Sequence, residues 1–235
     1  MLPLVLVMPS EVLTGHTREM ASFISTLQTA KSIFTLRILL GIIFLGMACV
    51  SLDHLLQLPA VASSRYYRAV VDNFTHGLVG LLSWAIVIET VLPSNCHQLG
   101  EILLCGVLSS ILDADHFIVA KSIYLQDALV LPHRPALHST TLIILISLFL
   151  HLTVRVTAAQ KLQSLPYMFL TASLSHQIRD GSRRGLWVWP LGSTPPLPYW
   201  AYVGLVCILP IVLKLFLNRT ASQLTVKPII GATPL

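Results

Sequence analysis

The chain has 235 residues, of which 54% are hydrophobic and only 11% are charged, and its mean hydropathy is +0.77. Soluble domains carry about 25% charged residues, so fifteen basic and ten acidic side chains cannot cover a soluble globule of this size. This composition excludes an ordinary cytosolic enzyme, a disordered protein and a disulfide scaffold. What remains is a membrane protein with several spans.

Six apolar stretches along the chain are candidates for membrane-spanning helices, each of which needs about 20 apolar residues. One of them, the fifth, is short for a full crossing. The six predicted stretches are residues 33–52, 74–92, 99–119, 137–157, 165–178 and 199–217. The sequence therefore predicts an all-α fold, a polytopic membrane helix bundle with about five to six spans.

The chain is predicted to hold one domain, because no repeat or low-complexity linker divides it. Residues 31–218 form the predicted multi-pass domain, residues 1–30 an N-terminal extension without an assigned role, and residues 219–235 a C-terminal tail. Seven basic residues fall on each side of the predicted spans, so the charge rule leaves the orientation open. The net charge of +5 is small and scattered, so the expected partners are membrane lipids and no nucleic acid.

Histidines and acids stand together at the ends of the predicted spans. Ionisable residues at membrane depth are costly when unpaired and by default indicate a functional site or a buried partner. Only ten acids occur in the whole chain, which makes their placement informative. Four groups appear in chain order: His76; Asp113, Asp115 and His116; His133 and His138; His176 and Asp180.

Helical spacing places members of two of these groups on common faces. Asp113 and His116 are three residues apart, and His176 and Asp180 are four apart, so each pair shares one face of a helix. Asp115 points to another face, where it is predicted to act as a base or to support a ligand.

The third group is predicted to lie on a rigid turn rather than on a helix. Pro132 and Pro135 interrupt helix around His133 and His138, so the turn delivers two imidazoles. If the spans alternate in direction, all four groups emerge on the same membrane face. A site with two or more metal ions needs such a gathering of ligands.

The residue types also favour a metal site. Imidazole and carboxylate ligands without thiolates suit zinc, manganese or iron better than calcium. A bound ion of this kind lowers the pKa of water to about 7 and stabilises charge on a carbonyl or phosphoryl oxygen. Four arginines flank the same groups and are suited to bind a phosphate or a carboxylate: Arg134, Arg179, Arg183 and Arg184.

Each motif alone has a simpler interpretation. His76 fits a histidine hydrogen-bonded at a helix interface. Asp113, Asp115 and His116 fit a helix terminus turned to water. The arginines fit helix ends that contact lipid headgroups.

The four motifs in this order also resemble a known family. His76-x3-Gly80, Leu112-Asp113-Ala114-Asp115-His116, His133-Arg134-x3-His138-Ser139 and Ser175-His176-x3-Asp180 are similar to motifs of the YdjM-like family of membrane-bound metal-dependent hydrolases. Two departures stand out. Pro135, Ala136 and Leu137 occupy the place of the family's Gly-x-Thr, and Leu112 replaces a proline.

The resemblance implies a metal site and a set of roles. It implies a divalent transition metal, zinc or manganese, as one or two ions. The implied substrate is a lipid or a phosphoester, whose anionic part would contact Arg134, Arg179 and Arg183. Asp115 or His133 would transfer the proton. The implied ligands are His76, Asp113, Asp115, His116, His138, His176 and Asp180, with His133 as a further candidate.

Two other functions fit the same residues. In one, the protein is not an enzyme and the metal or polar cluster locks the helices together, as structural metals do. In the other, the protein transports a metal ion or protons. Transport sites usually lie near the bilayer midplane, whereas these groups are predicted at one face, which counts against transport.

Overall fold

The computed structural model describes residues 35–89, 95–157, 159 and 162–225, with side chains up to residue 219. The predicted extension 1–30 and residues 226–235 lie outside these described residues. The described helices, in chain order, are α1 Leu36–Gln57, α2 Pro59–Ala62, α3 Arg65–Val87, α4 Cys96–Ile111, α5 Ala114–Ala120, α6 Leu125–Ala128, a 3-10 helix Ala136–His138, α7 Thr140–Val156, α8 Leu165–Arg184 and α9 Tyr199–Thr225. A short antiparallel hairpin lies between α8 and α9. Its two strands, β1 Trp187–Val188 and β2 Gly192–Ser193, have two residues each.

The predicted helical membrane bundle is confirmed. Within the described part of the chain, four helical segments are long and apolar enough to span a membrane: Leu36–Gln57, Arg65–Val87, Cys96–Ala120 and Tyr199–Arg219. Helix α7 is apolar but shorter. The second span begins at Arg65 rather than at residue 74, because Ser64 caps the helix and Tyr66, Val70 and Phe74 continue an apolar face along it.

Helix α8 is longer than the predicted stretch 165–178 and is the most polar of the long helices. It runs to Arg184, and 20 residues at 1.5 Å each give about 30 Å, enough to cross a bilayer. Most of its polar side chains before residue 180 are buried, because α3, α4, α7 and α9 all pack against it. A hydropathy scan underestimates the length of such a helix, because buried polar residues lower the mean hydropathy as much as exposed ones do.

Helices α3 and α4 approach closely through small residues. Gly77 and Gly80 of α3 face Gly106, Ser109 and Ser110 of α4, and a Cβ atom at position 80 would lie 2.6 Å from the Cβ of Ser109. Small residues let helix backbones pack closely in membrane proteins. This contact sets the position of Ser109, which is used in the site below.

The apolar core joins α1, α3 and α9. Leu45, Cys49, Trp84, Tyr202 and Val206 are almost completely buried in it. The core fixes α3 relative to its neighbours, so the polar half of α3 faces α8 at a fixed distance.

Candidate metal centre

Four side chains from three parts of the chain converge at one end of the bundle. Asp113 lies at the junction where α4 ends and α5 begins. His138 closes the 3-10 helix that follows Pro135, so the predicted proline-rich turn does deliver this imidazole. His176 and Asp180 lie one turn apart on α8, as their spacing predicts.

Five of the six distances between their ligand atoms are close to those of a tetrahedron, and all four atoms lie within 4.8 Å of one another. Nε2 of His138 and Nε2 of His176 are 3.3 Å apart. Each of these nitrogens lies 3.5 Å from Oδ1 of Asp113, and they lie 3.5 and 3.7 Å from Oδ2 of Asp180. Metal–ligand bonds of about 2.0–2.1 Å in a tetrahedron give ligand–ligand edges of about 3.3–3.4 Å. The four atoms therefore fit around one ion.

Hydrogen bonds fix which histidine nitrogens are free. Nδ1 of His176 lies 2.8 Å from the carbonyl oxygen of Ser109, which can only accept, so Nδ1 carries the proton. Nδ1 of His138 lies 3.4 Å from Oδ2 of Asp115 and is oriented to donate to that carboxylate. With a proton on each Nδ1, both Nε2 atoms can offer a lone pair to a metal ion that lies between the two carboxylates. The residues therefore fit a metal ion, which would take the place of any proton on Nε2.

The two carboxylates also have outer partners. Nδ2 of Asn73 donates to Oδ2 of Asp113 at 3.4 Å, and Nε2 of His76 lies 3.3 Å from Oδ1 of Asp180. In each case the other oxygen of the carboxylate points to the centre. Such outer partners orient metal ligands and commonly raise metal affinity.

His76 lies beside the four ligands rather than among them. Its ring stacks on that of His176 with centroids 3.8 Å apart, and the side chain is 1% exposed. The structure thus brings His76 to the centre, as predicted, but in contact with Asp180 and His176.

A second group of possible ligands adjoins the first. It consists of Asp115, His116 and His138. Nδ1 of His116 lies 3.1 Å from Oδ1 of Asp115 and 3.8 Å from Oδ1 of Asp113. Asp113 and His116 were predicted to share one helix face, and their side chains do lie 3.8 Å apart, but Asp113 belongs to the first group and His116 to the second.

His133 lies apart from both groups. It is exposed and lines a small cavity of about 330 Å³ together with Arg134 and Arg184. Arg134 donates from Nη1 to the carbonyl oxygen of Gly185 at 3.0 Å. Burial and the charge of Arg184 lower the pKa of Arg134, against the opposing effect of Asp180. The turn therefore places His138 in the metal centre and His133 in the small cavity outside it.

Arg179 and Arg183 form an ion-pair network with acids of two other helices. The guanidinium of Arg179 is 1% exposed, pairs with Asp72 of α3 and lies 3.1 Å from Oδ1 of Asp53 of α1. Arg183 is 39% exposed and places two nitrogens 2.5 Å from the carboxylate of Asp72. Nη1 of Arg179 also lies 3.2 Å from Nε2 of His76. The network ties α1, α3 and α8 together directly beneath the metal centre.

A large cavity opens beside the centre. It has a volume of about 910 Å³ and is lined in part by Asp113, Asp180, His76 and His116. Asp113 and Asp180 are 30% and 25% exposed, whereas His138 and His176 are buried. The two carboxylates thus form one side of the cluster that a molecule in the cavity can reach.

Comparison with known proteins places this arrangement in a family. The model of the family described as YdjM inner membrane protein matches residues 71–232, which include all of the ligands named above. The chain belongs to the YdjM inner membrane protein family. The predicted resemblance is therefore confirmed, and the protein is an integral membrane protein.

Vertebrate relatives of this YdjM family member carry the name transmembrane protein 267. The chain is 41% identical over 189 residues to the protein of that name from Mus musculus, covering 80% of this chain and 86% of the relative. It is 40% identical over 180 residues to the one from Danio rerio, covering 76% and 80%. For Bos taurus the identity is 39% over 186 residues, covering 79% and 85%. No solved structure shows a significant match.

Two contributors to the centre were missed by the sequence analysis. Asn73 holds Asp113, and it precedes His76 by three residues on the same helix, so helical spacing was an available signal. Ser109 acts through its backbone carbonyl, for which the side-chain identity gives no signal.

Proposed function

We propose that the protein is a membrane-bound hydrolase that binds a divalent transition metal, zinc or manganese, through Asp113, His138, His176 and Asp180. The substrate would be a lipid or a phosphoester. The observation that carries the proposal is that Asp113 and Asp180 belong both to the ligand cluster and to the wall of the large cavity. A substrate in that cavity would meet the metal site directly.

The donor set supports the choice of metal. Two imidazole nitrogens and two carboxylate oxygens suit zinc and manganese, and calcium prefers oxygen ligands alone. Edges of 3.3–3.7 Å fit the short bonds of zinc most closely.

The geometry favours one ion rather than two. Both possible groups use His138, one through Nε2 and the other through Nδ1. A neutral imidazole keeps a proton on one nitrogen, so it serves one ion at a time. With the ion at Nε2, the Nδ1 proton goes to Asp115.

When bound, the metal would lower the pKa of a water molecule and stabilise negative charge on the substrate oxygen. We assign the proton transfer to His116, which lines the cavity and contacts Asp115 at 3.1 Å. Asp115 is 6% exposed and lies between His116 and His138, so it orients both rings. His133 has no contact with the cluster and receives no role in this proposal.

The proposal is tested by measuring turnover in the wild type, in a variant of a metal ligand and in a variant of the residue assigned to proton transfer. Purified protein loaded with zinc or manganese is incubated with a panel of phosphate-ester and carboxylic-ester lipids and soluble phosphoesters, and product release is measured. Asp180→Asn is expected to lose both metal and turnover. His116→Ala is expected to keep the metal and lose turnover by about 10²–10⁴-fold, the usual contribution of acid–base catalysis. Full activity in Asp180→Asn would contradict the proposal.

The alternative is a structural metal. Four protein ligands complete a tetrahedral shell, and closed shells are typical of structural zinc sites. Under this alternative the metal stabilises the fold, no substrate is turned over, and removing the metal unfolds the bundle. The exposure of both carboxylates to the cavity favours the hydrolase, because water could reach the ion from that side as a fifth ligand.

A further inference from the structure

The large cavity beside the metal centre has an apolar end that the proposed chemistry does not use. Tyr66, Val70 and Phe74 line it from α3, spaced four residues apart on one helix face. All three are exposed, at 63%, 49% and 59%. Since α3 is a membrane span, exposed apolar side chains on it face the acyl chains of lipids. The cavity is therefore bordered by lipid on this side.

A second set of residues that line the cavity has the same apolar character. Phe117, Ile123 and Leu129 line it from α5, α6 and the segments around them, and Ile123 is 87% exposed. These two apolar sets line the same cavity as the carboxylates of Asp113 and Asp180, and its apolar part is called the slot below. The whole cavity, at about 910 Å³, lies at the upper end of the usual range of roughly 300–1,000 Å³ for ligand pockets. A phosphate group alone would leave most of it empty.

Positive charge surrounds the same cavity. Arg65, Arg68 and Arg184 line it and form no ion pair with any carboxylate in the described part of the chain. Arg183, by contrast, is neutralised by Asp72. Free guanidinium groups bind phosphate through paired, charge-assisted hydrogen bonds. Arg184 also lines the small cavity with Arg134 and His133, which extends this basic region past the metal centre.

We infer that the substrate is an amphiphile with an anionic phosphate headgroup and a long apolar chain, which enters the large cavity sideways from the bilayer. The inference rests on the proposed function for the headgroup's position at the metal centre. The chain would lie between Val70 and Ile123. The headgroup would contact Arg65, Arg68 and Arg184 beside Asp113 and Asp180. A soluble phosphoester has the headgroup but nothing to occupy the apolar slot.

Binding without turnover tests this inference. The metal-loaded protein in phosphatidylcholine nanodiscs is labelled with a hexadecylphosphonate that carries a diazirine near the end of its chain, because the phosphorus–carbon bond is not hydrolysed. Competition is measured with hexadecylphosphonate, butylphosphonate, inorganic phosphate and hexadecanol, and the labelled peptides are identified by mass spectrometry. We expect labels on α3 and on residues 117–129, and effective competition by hexadecylphosphonate alone.

Two pairs of matched variants separate the slot from the general surface. Val70→Trp fills the slot and should reduce labelling about tenfold, whereas Val107→Trp, on the exposed face of α4, should not. Ile123→Trp blocks the slot from the second apolar set and serves if Val70→Trp is poorly folded. Replacing Arg65 and Arg68 by Gln should weaken hexadecylphosphonate competition about tenfold, while the same change at the exposed Arg37 and Arg155 should have no effect.

The outcomes distinguish this inference from the proposed function. Competition by butylphosphonate or phosphate that equals competition by hexadecylphosphonate would refute an amphiphilic substrate. Absence of labels on these helices in the wild-type protein would refute it as well. Neither result would contradict hydrolysis of soluble phosphoesters. If hexadecanol competes equally, the anionic headgroup is wrong. If labelling depends on the apolar chain but no ester is hydrolysed, the amphiphile-binding site is supported and the proposed hydrolase activity is refuted.

Discussion

His138 and His176 direct their Nε2 atoms at each other across 3.3 Å. Each ring is held in this orientation at its other nitrogen, one by Asp115 and one by the carbonyl oxygen of Ser109. The centre is thus defined as much by the groups that hold the Nδ1 protons as by the ligands.

Removal of Asp115 should weaken metal binding without abolishing it. In Asp115→Ala, His138 loses the acceptor of its Nδ1 proton, and loss of such an outer partner typically lowers metal affinity about 10–100-fold. Asp115→Asn keeps an acceptor oxygen and should show a smaller effect. Zinc affinity is measured by competition with a chromophoric chelator.

His133→Ala provides the control for this series, because His133 is exposed and outside both ligand groups. Its zinc affinity should equal that of wild type. Equal affinity in Asp115→Ala and His133→Ala would show that Asp115 does not support the site.

The close contact of α3 with α4 should be intolerant of a single methyl group. In Gly80→Ala the new Cβ would lie 2.6 Å from the Cβ of Ser109, so the helices must separate, at a cost of roughly 1–3 kcal/mol. Separation also moves the carbonyl oxygen that holds His176, so zinc affinity should fall together with the unfolding temperature.

Gly100→Ala is the matched control, since a Cβ at Gly100 of α4 meets no atom within 4 Å. There alanine should stabilise the helix by up to about 1 kcal/mol. Thermal unfolding of both variants in the same detergent checks the pair. A Gly80→Ala protein as stable as Gly100→Ala would refute the close packing.

The buried ion-pair network beneath the centre should be needed for folding. In Arg179→Met, Asp53 and Asp72 lose their buried cation, and breaking a buried pair from one side costs roughly 3–5 kcal/mol. Arg184→Met, at the exposed end of the same helix, should leave stability nearly unchanged. Denaturation curves of the two variants are measured in detergent. Equal curves would mean that the ion-pair network does not stabilise the fold.

Much of the centre could be predicted from the sequence because few residues could form it. In an apolar chain with ten acids, the spacing of His176 and Asp180 and the position of Asp113 at the end of an apolar run select these side chains. The confirmed helical spans follow from hydropathy in the same way. The exception is α8, whose last six residues, 179–184, include a buried arginine, a half-buried aspartate and two exposed arginines, so its length could not be predicted from an apolar run.

Which of these residues are ligands and which lie outside the ligand groups could not be predicted, because this depends on distances in the folded protein. Sequence spacing pairs Asp113 with His116, and the two side chains do lie 3.8 Å apart, but each belongs to a different ligand group. It also treats His133 and His138 alike, although one ring is buried at the centre and the other is exposed. Likewise, Arg179 and Arg183 have the same sequence setting, but only Arg179 is buried by its acidic partners.

The most direct test of the account is the metal content of the detergent-purified protein, measured by elemental mass spectrometry. Wild type is compared with the double variant His176→Ala, Asp180→Ala, and with His133→Ala as the control. The account predicts close to one zinc or manganese ion per chain in wild type and in His133→Ala, and none in the double variant. A folded wild type that contains no transition metal and takes up none when zinc or manganese is added would contradict it.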